Sequence, residues 1–66
     1  MPYFIQDRGS GLYVTTNSGM TDIASDAATF DTYEDAMRHR SKVLEDLGSQ
    51  ADLWDLRVRM GRGVGD

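Results

Sequence analysis

Asp31-Thr-Tyr-Glu-Asp-Ala-Met-Arg-His-Arg-Ser-Lys-Val-Leu-Glu-Asp-Leu-Gly48 is the stretch on which the fold turns. Its apolar residues recur at helical spacing. At about 100° per residue, Tyr33, Ala36, Met37, Val43, Leu44 and Leu47 share one face, and Glu34, Arg38, Ser41, Lys42, Glu45 and Asp46 lie opposite. Asp31 with Glu34, and Thr32 with Asp35, form two overlapping N-terminal capping signals. Either one sets acids in the first turn, against the positive end of the helix dipole. Gly48 is the expected stop. Glu34 and Arg38 are spaced for a favourable i,i+4 pair, worth ~0.2–0.5 kcal/mol. Arg40 breaks the pattern near the middle of the apolar face. Its stem can cover apolar surface while the head reaches water, or it can pair with Asp7 or a loop carboxylate.

Strands flank this helix. Tyr3 to Asp7 and Leu12 to Thr16 are rich in aromatic and β-branched residues, and Arg8-Gly-Ser-Gly11 joins them as a hairpin turn. Gly9 and Gly11 can supply the positive φ of such a turn. Strand alternation places Tyr3, Ile5, Leu12 and Val14 inside and leaves Phe4 and Tyr13 as an outward aromatic pair. Asn17 to Thr29 reads as a long polar loop, pinned by Ile23, Ala27 and Ala28. Ala28 to Phe30 is a candidate short third strand. Trp54, Leu56, Val58 and Met60 alternate with Asp55, Arg57 and Arg59, the pattern of a strand with one buried face. The expected fold is therefore α+β, in the order β-β-(β)-α-β: an antiparallel sheet of three to four strands with one helix on one face. Residues 1–60 form a single domain, and 61–66, Gly-rich, form a mobile tail.

Sixty-six residues suffice for one small domain, which buries only about 60% of its unfolded surface. There is no Cys, hence no disulfide and no thiolate metal site, and one His excludes a multi-histidine centre. No cofactor is expected. The N-terminal stretch lacks the basic and apolar regions of a signal peptide, and no run approaches the ~20 apolar residues of a membrane span. A net charge of −4 disfavours nucleic acid or an anionic membrane as ligand and favours a basic partner.

The charges are sorted along the chain. Asn17 to Met37 holds Asp22, Asp26, Asp31, Glu34 and Asp35 with no Lys or Arg. Arg38, Arg40 and Lys42 follow. Val43 to Asp55 is again purely acidic (Glu45, Asp46, Asp52, Asp55), before Arg57, Arg59 and Arg62. Carboxylates at strand or helix spacing sit ~5–7 Å apart, comparable to neighbouring phosphates of one DNA strand. A surface carrying the first block, with the second as a further patch, could enter a groove built for DNA, gaining affinity from complementarity and steered association. Acids at a helix start and a net charge for solubility account for the same residues without a partner.

Nothing points to catalysis. His39, four residues after Asp35, reads as an exposed helix-face histidine. A carboxylate pair needs a cleft that one helix and a small sheet have little room to build. Gly9-Ser-Gly11 joins two strands rather than leading into a helix, so it is not a phosphate loop.

The run Tyr3-Phe-Ile-Gln-Asp-Arg-Gly-Ser-Gly-Leu-Tyr-Val14, followed by Ala27-Ala-Thr-Phe-Asp-Thr-Tyr-Glu-Asp-Ala36, resembles the short hairpin-then-helix proteins of phages and prophages. With its size and acidity, the chain resembles small anti-CRISPR proteins, particularly inhibitors of type I effector complexes, type I-C among them. The resemblance implies a stoichiometric inhibitor in the bacterial cytoplasm, monomeric or weakly dimeric. It would bind the basic DNA-binding surface of a Cas effector, with no direct nucleic-acid or membrane contact, and block target-DNA recognition. Two other binding modes stay open: an interface of Phe4 and Tyr13 with Arg57 and Arg59, aromatics and Arg being the usual hot spots, or a phage accessory protein acting by self-assembly.

Overall fold

The computed structural model describes residues 2–61. Four antiparallel strands form an open sheet with one helix on one face: β1 (Tyr3–Asp7), β2 (Tyr13–Val14), β3 (Met20–Thr21), α1 (Tyr33–Leu47) and β4 (Leu56–Met60), in the spatial order β3-β2-β1-β4. Short 3-10 turns at Ala24–Asp26 and Gly48–Leu53 complete the chain. Beyond Gly61, the tail expected over 61–66 lies outside the described residues.

The helix starts where Thr32, not Asp31, caps it: Thr32 Oγ1 accepts from the Asp35 N–H at 3.1 Å. It stops at Gly48, whose φ of 58° favours glycine and whose N–H reaches the Leu44 and Glu45 carbonyls. Ala36 and Val43 are fully buried, and Met37, Leu44 and Leu47 half-buried. Tyr33 is 52% exposed rather than part of the buried face. Its ring meets Tyr3 edge-on, centroids 5.9 Å apart.

The core is Ile5, Val14, Val43 and Leu56, with Met20, Phe30, Leu44, Leu47, Trp54 and Val58 packed against it. Strand register explains the choice. Ile5 pairs with Val58, Asp7 with Leu56 and Val14 with Met20, and cross-strand partners share a face. Tyr3 and Leu12, expected inside, are only half-buried at the sheet's margins.

The polar loop is more structured than its composition suggests. The third strand is Met20–Thr21 rather than Ala28–Phe30. It folds back on β2 through a turn in which the Thr15 N–H donates to the Gly19 carbonyl at 2.9 Å. Residues 28–30 return beside β1. The Ala28 N–H donates to the Val14 carbonyl, and Phe30 makes a single reciprocal bridge with Tyr3. Ala28 is the buried pin of this loop; Ile23 is exposed.

One buried carboxylate ties the distant parts together. Asp7 is 4% exposed. Its Oδ2 accepts from the Ser10 hydroxyl at 2.6 Å and the Ser10 N–H at 2.8 Å, and its Oδ1 from the Asp55 N–H at 2.6 Å. The hairpin turn and the approach to β4 are thus fixed by one side chain. Gly11, with φ 79°, completes the turn and Gly9 contributes no positive φ. The Ser10 hydroxyl, then the Asp55 and Ser10 amides, hold the Asp7 carboxyl below its ordinary 3.8, against an opposing push from burial. A lowered folded-state pKa means that the stabilisation is full above about pH 4 and fades as pH falls through the folded value.

Asp7→Ala should cost about 1–3 kcal/mol at pH 7, since it leaves inward N–H groups without an acceptor. Urea unfolding at stepped pH should show the gap from the parent narrowing below about pH 4. A gap that stays constant to pH 2 would contradict the assignment.

Candidate functional site

The nine carboxylates singled out above are all exposed. Their placement follows from the elements. Asp22 leaves β3, Asp26 ends the first 3-10 turn, and Asp31 precedes the helix cap. Glu34 and Asp35 fill the first helical turn, Glu45 and Asp46 the last. Asp52 lies in the second 3-10 turn, and Asp55 just ahead of β4. The two helical pairs are eleven positions apart, about 16 Å along the axis, with Arg38 and Lys42 between them on the outward face. The first and second blocks therefore do not merge along the helix.

Three of the nine are engaged. Asp35 pairs with Arg38 at 3.0 Å, i,i+3, displacing the expected Glu34–Arg38 pair. Asp46 accepts from the Ser18 hydroxyl at 2.9 Å, tying loop to helix. Asp55 accepts two hydrogen bonds from the Arg57 guanidinium, at 2.8 and 3.2 Å. That guanidinium lowers the Asp55 pKa, and Asp55 in turn raises that of Arg57. A surface pair such as Arg38–Asp35 contributes only about 0–1 kcal/mol. Among the described residues, Asp22, Asp26, Asp31, Glu34, Glu45 and Asp52 have no hydrogen-bonded or ionic partner. Four of these six belong to the first block.

The other side of the sheet is uncovered by the helix and carries the opposite charge. Gln6 is opposite both Tyr13 and Arg57, and Phe4 is opposite Arg59, so all five share that face. The Phe4 and Tyr13 rings pair at 5.8 Å, as the alternation implied, but Phe4 is only 5% exposed. It is a buried residue rather than an outward anchor. Arg59 donates to Gln6 Oε1 at 3.0 Å, so its stem crosses this face near the ring. Gln6, Arg8, Gly11, Arg57 and Arg59 surround a shallow hollow of about 430 Å³. Gln6 and Arg8 were not legible as part of any site.

Two residues read as bland or ambiguous are structural ties. Arg40 Nε donates to the Leu56 carbonyl at 2.8 Å, so it is neither a free snorkelling head nor an ion pair. His39 Nε2 lies 3.0 Å from the Thr15 carbonyl, which requires the proton on Nε2, and its ring meets Phe30 at 5.2 Å. It is half-buried, not the exposed histidine expected. Among the described residues no group of His, Asp and Glu could hold a metal ion, and no helix is long and apolar enough to cross a membrane. No family model, curated protein or solved structure matches the chain.

Phe4→Ala should destabilise by about 3–5 kcal/mol, as for other buried aromatics. Tyr13→Ala, half-exposed on the same face, should cost distinctly less. Thermal unfolding of both variants checks this; equal losses would mean that Phe4 is not the covered member of the pair.

Proposed function

We propose that the chain is a non-enzymatic, stoichiometric inhibitor of the anti-CRISPR kind. It engages the basic DNA-binding surface of a type I effector through its first acidic block. The observation that carries this reading is that Asp22, Asp26, Asp31 and Glu34 are exposed and have no partner among the described residues. Free carboxylates cost little to redirect: no ion pair among the described residues must break before they meet Lys or Arg. In the second block, Asp46 and Asp55 are already committed to Ser18 and Arg57, so it is the weaker candidate.

The mechanism is electrostatic. The exposed carboxylates steer the domain to a Lys/Arg-lined site and occupy it in place of phosphates, which raises the association rate most at low salt. Such a decoy needs neither cofactor nor cleft. It would act in the host cytoplasm as a monomer or weak dimer. The rival interface of Phe4 and Tyr13 with Arg57 and Arg59 is disfavoured, because Phe4 is covered and cannot anchor a partner.

The test is a gel shift of a type I effector on its target DNA, with the parent protein and with the variant Asp22→Lys, Asp26→Lys, Glu34→Lys. The parent should remove the shifted band at low salt and lose that power as salt rises. The variant should be inert at every ratio while its circular dichroism spectrum matches the parent. Inhibition that survives the triple change in a folded protein would end the acidic-decoy reading.

A further inference from the structure

β4 is an edge strand, and part of its outer rim has no partner among the described residues. The Arg8 N–H donates to the Asp55 carbonyl at 2.9 Å, and the Gly61 N–H to the Pro2 carbonyl at 3.2 Å. Hydrogen-bonded pairs alternate along an antiparallel ladder. With Gln6 opposite Arg57 and Phe4 opposite Arg59, residues 57 and 59 turn their backbone groups toward β1. Residues 56, 58 and 60 turn theirs outward. Arg40 takes the Leu56 carbonyl. Among the described residues, the N–H and C=O groups of Val58 and Met60 have no partner.

The side chains along this rim are sorted by face. Val58 and Met60 lie on the helix side, and Met60 is 61% exposed. Arg57 and Arg59 lie on the open side, beside the hollow that Arg8 also lines. Arg57 holds the exposed Asp55 carboxylate and Arg59 the Gln6 amide oxygen, so an anionic strand residue competes with Asp55 at Arg57 and meets no carboxylate at Arg59. A strand added to this edge would set alternate side chains next to each set: apolar ones beside Val58 and Met60, and anionic ones beside the arginines. We propose that the outer edge of β4 is a docking strand for an extended segment of a partner protein in which acidic and apolar residues alternate.

Main-chain bonds to residues 58 and 60 supply affinity in such strand addition, and the alternating side chains supply selectivity. Charge decides against a second copy. Antiparallel pairing of two copies along the whole of β4 would set one copy's Arg57 opposite the other's Arg59, and directly opposed like charges destabilise a sheet. Charged edge residues are a common guard against self-pairing. An acidic strand meets no such penalty.

The probe is a capped seven-residue peptide of alternating Val and Asp, titrated into the isotope-labelled protein and followed by amide NMR. Two control peptides carry Lys in place of Asp, or N-methyl groups on alternate amides. Shifts should be confined to β4 and its flanks, and hydrogen exchange should slow at the Val58 and Met60 amides. The Lys peptide should bind at least about tenfold more weakly, and the methylated peptide should not bind. Arg57→Glu with Arg59→Glu should reverse the preference between the Asp and Lys peptides. If that variant does not fold, Arg59→Gln should still weaken the Asp peptide. No shifts at millimolar peptide, shifts centred on the helix N-terminus, equal binding of the Lys peptide, or a stable dimer with protected β4 amides would each overturn the proposal.

Discussion

The Asp7 carboxylate is the contact on which the remainder of the sheet depends. It sits at the end of β1, between the hairpin turn and the approach to β4, and its two oxygens serve those two sides separately. The Arg8 N–H adds a backbone bond to the Asp55 carbonyl at the same junction. This places β4 in register with β1, so that Leu56 and Val58 fall on the side that Ile5 and the helix cover. A buried acid is tolerable only because its acceptors are filled. A small domain without disulfides gains much from one group that joins segments 48 positions apart.

The residues that announced the architecture were those with strong local signals. The Gly48 stop stands where the chain's own pattern put it, and Thr32 is the one of the two cap signals that is used. The alternation from Trp54 to Met60 marks β4, but the strand begins only at Leu56, and Met60, read as inward, is 61% exposed. The third strand was not legible. Met20 and Thr21 are too few to show alternation, and only their backbone pairing with β2 makes them a strand. The burial of Phe4 was hidden for a related reason. Alternation assigns a face but cannot tell that the Arg59 side chain reaches across that face to Gln6. Asp7 was singled out in the sequence only as a possible partner for Arg40, which instead bonds the Leu56 carbonyl. The role of Asp7 depends on Asp55, which no local reading brings near. Of the acidic surface, exposure was legible. Which carboxylates are already occupied by Ser18, Arg38 and Arg57 was not.

Charge is divided in space as well as along the chain. Acids without a partner among the described residues occupy the loop after β3 and the start of the helix, and Arg8, Arg57 and Arg59 gather on the uncovered side of the sheet. The net charge of −4 does not describe this division. Steering by the acidic side and recognition at the arginine-lined rim are therefore compatible, since they draw on different surfaces of one small body.

The strand order also governs the time in which the fold can form. β1 lies inside the sheet, and its longest partnership is with β4, from Tyr3 opposite Met60 to Asp7 opposite Leu56. The hairpin and helix can form from near neighbours, but the pairing that encloses the core requires closing a loop of nearly the whole described chain. Non-local closure of this kind slows folding relative to helical domains of the same size. During synthesis on a ribosome, β1 must wait with one edge bare until β4 has cleared the exit tunnel. The domain therefore cannot complete its core until β4 has emerged, and until then the bare edge of β1 is open to proteases and chaperones.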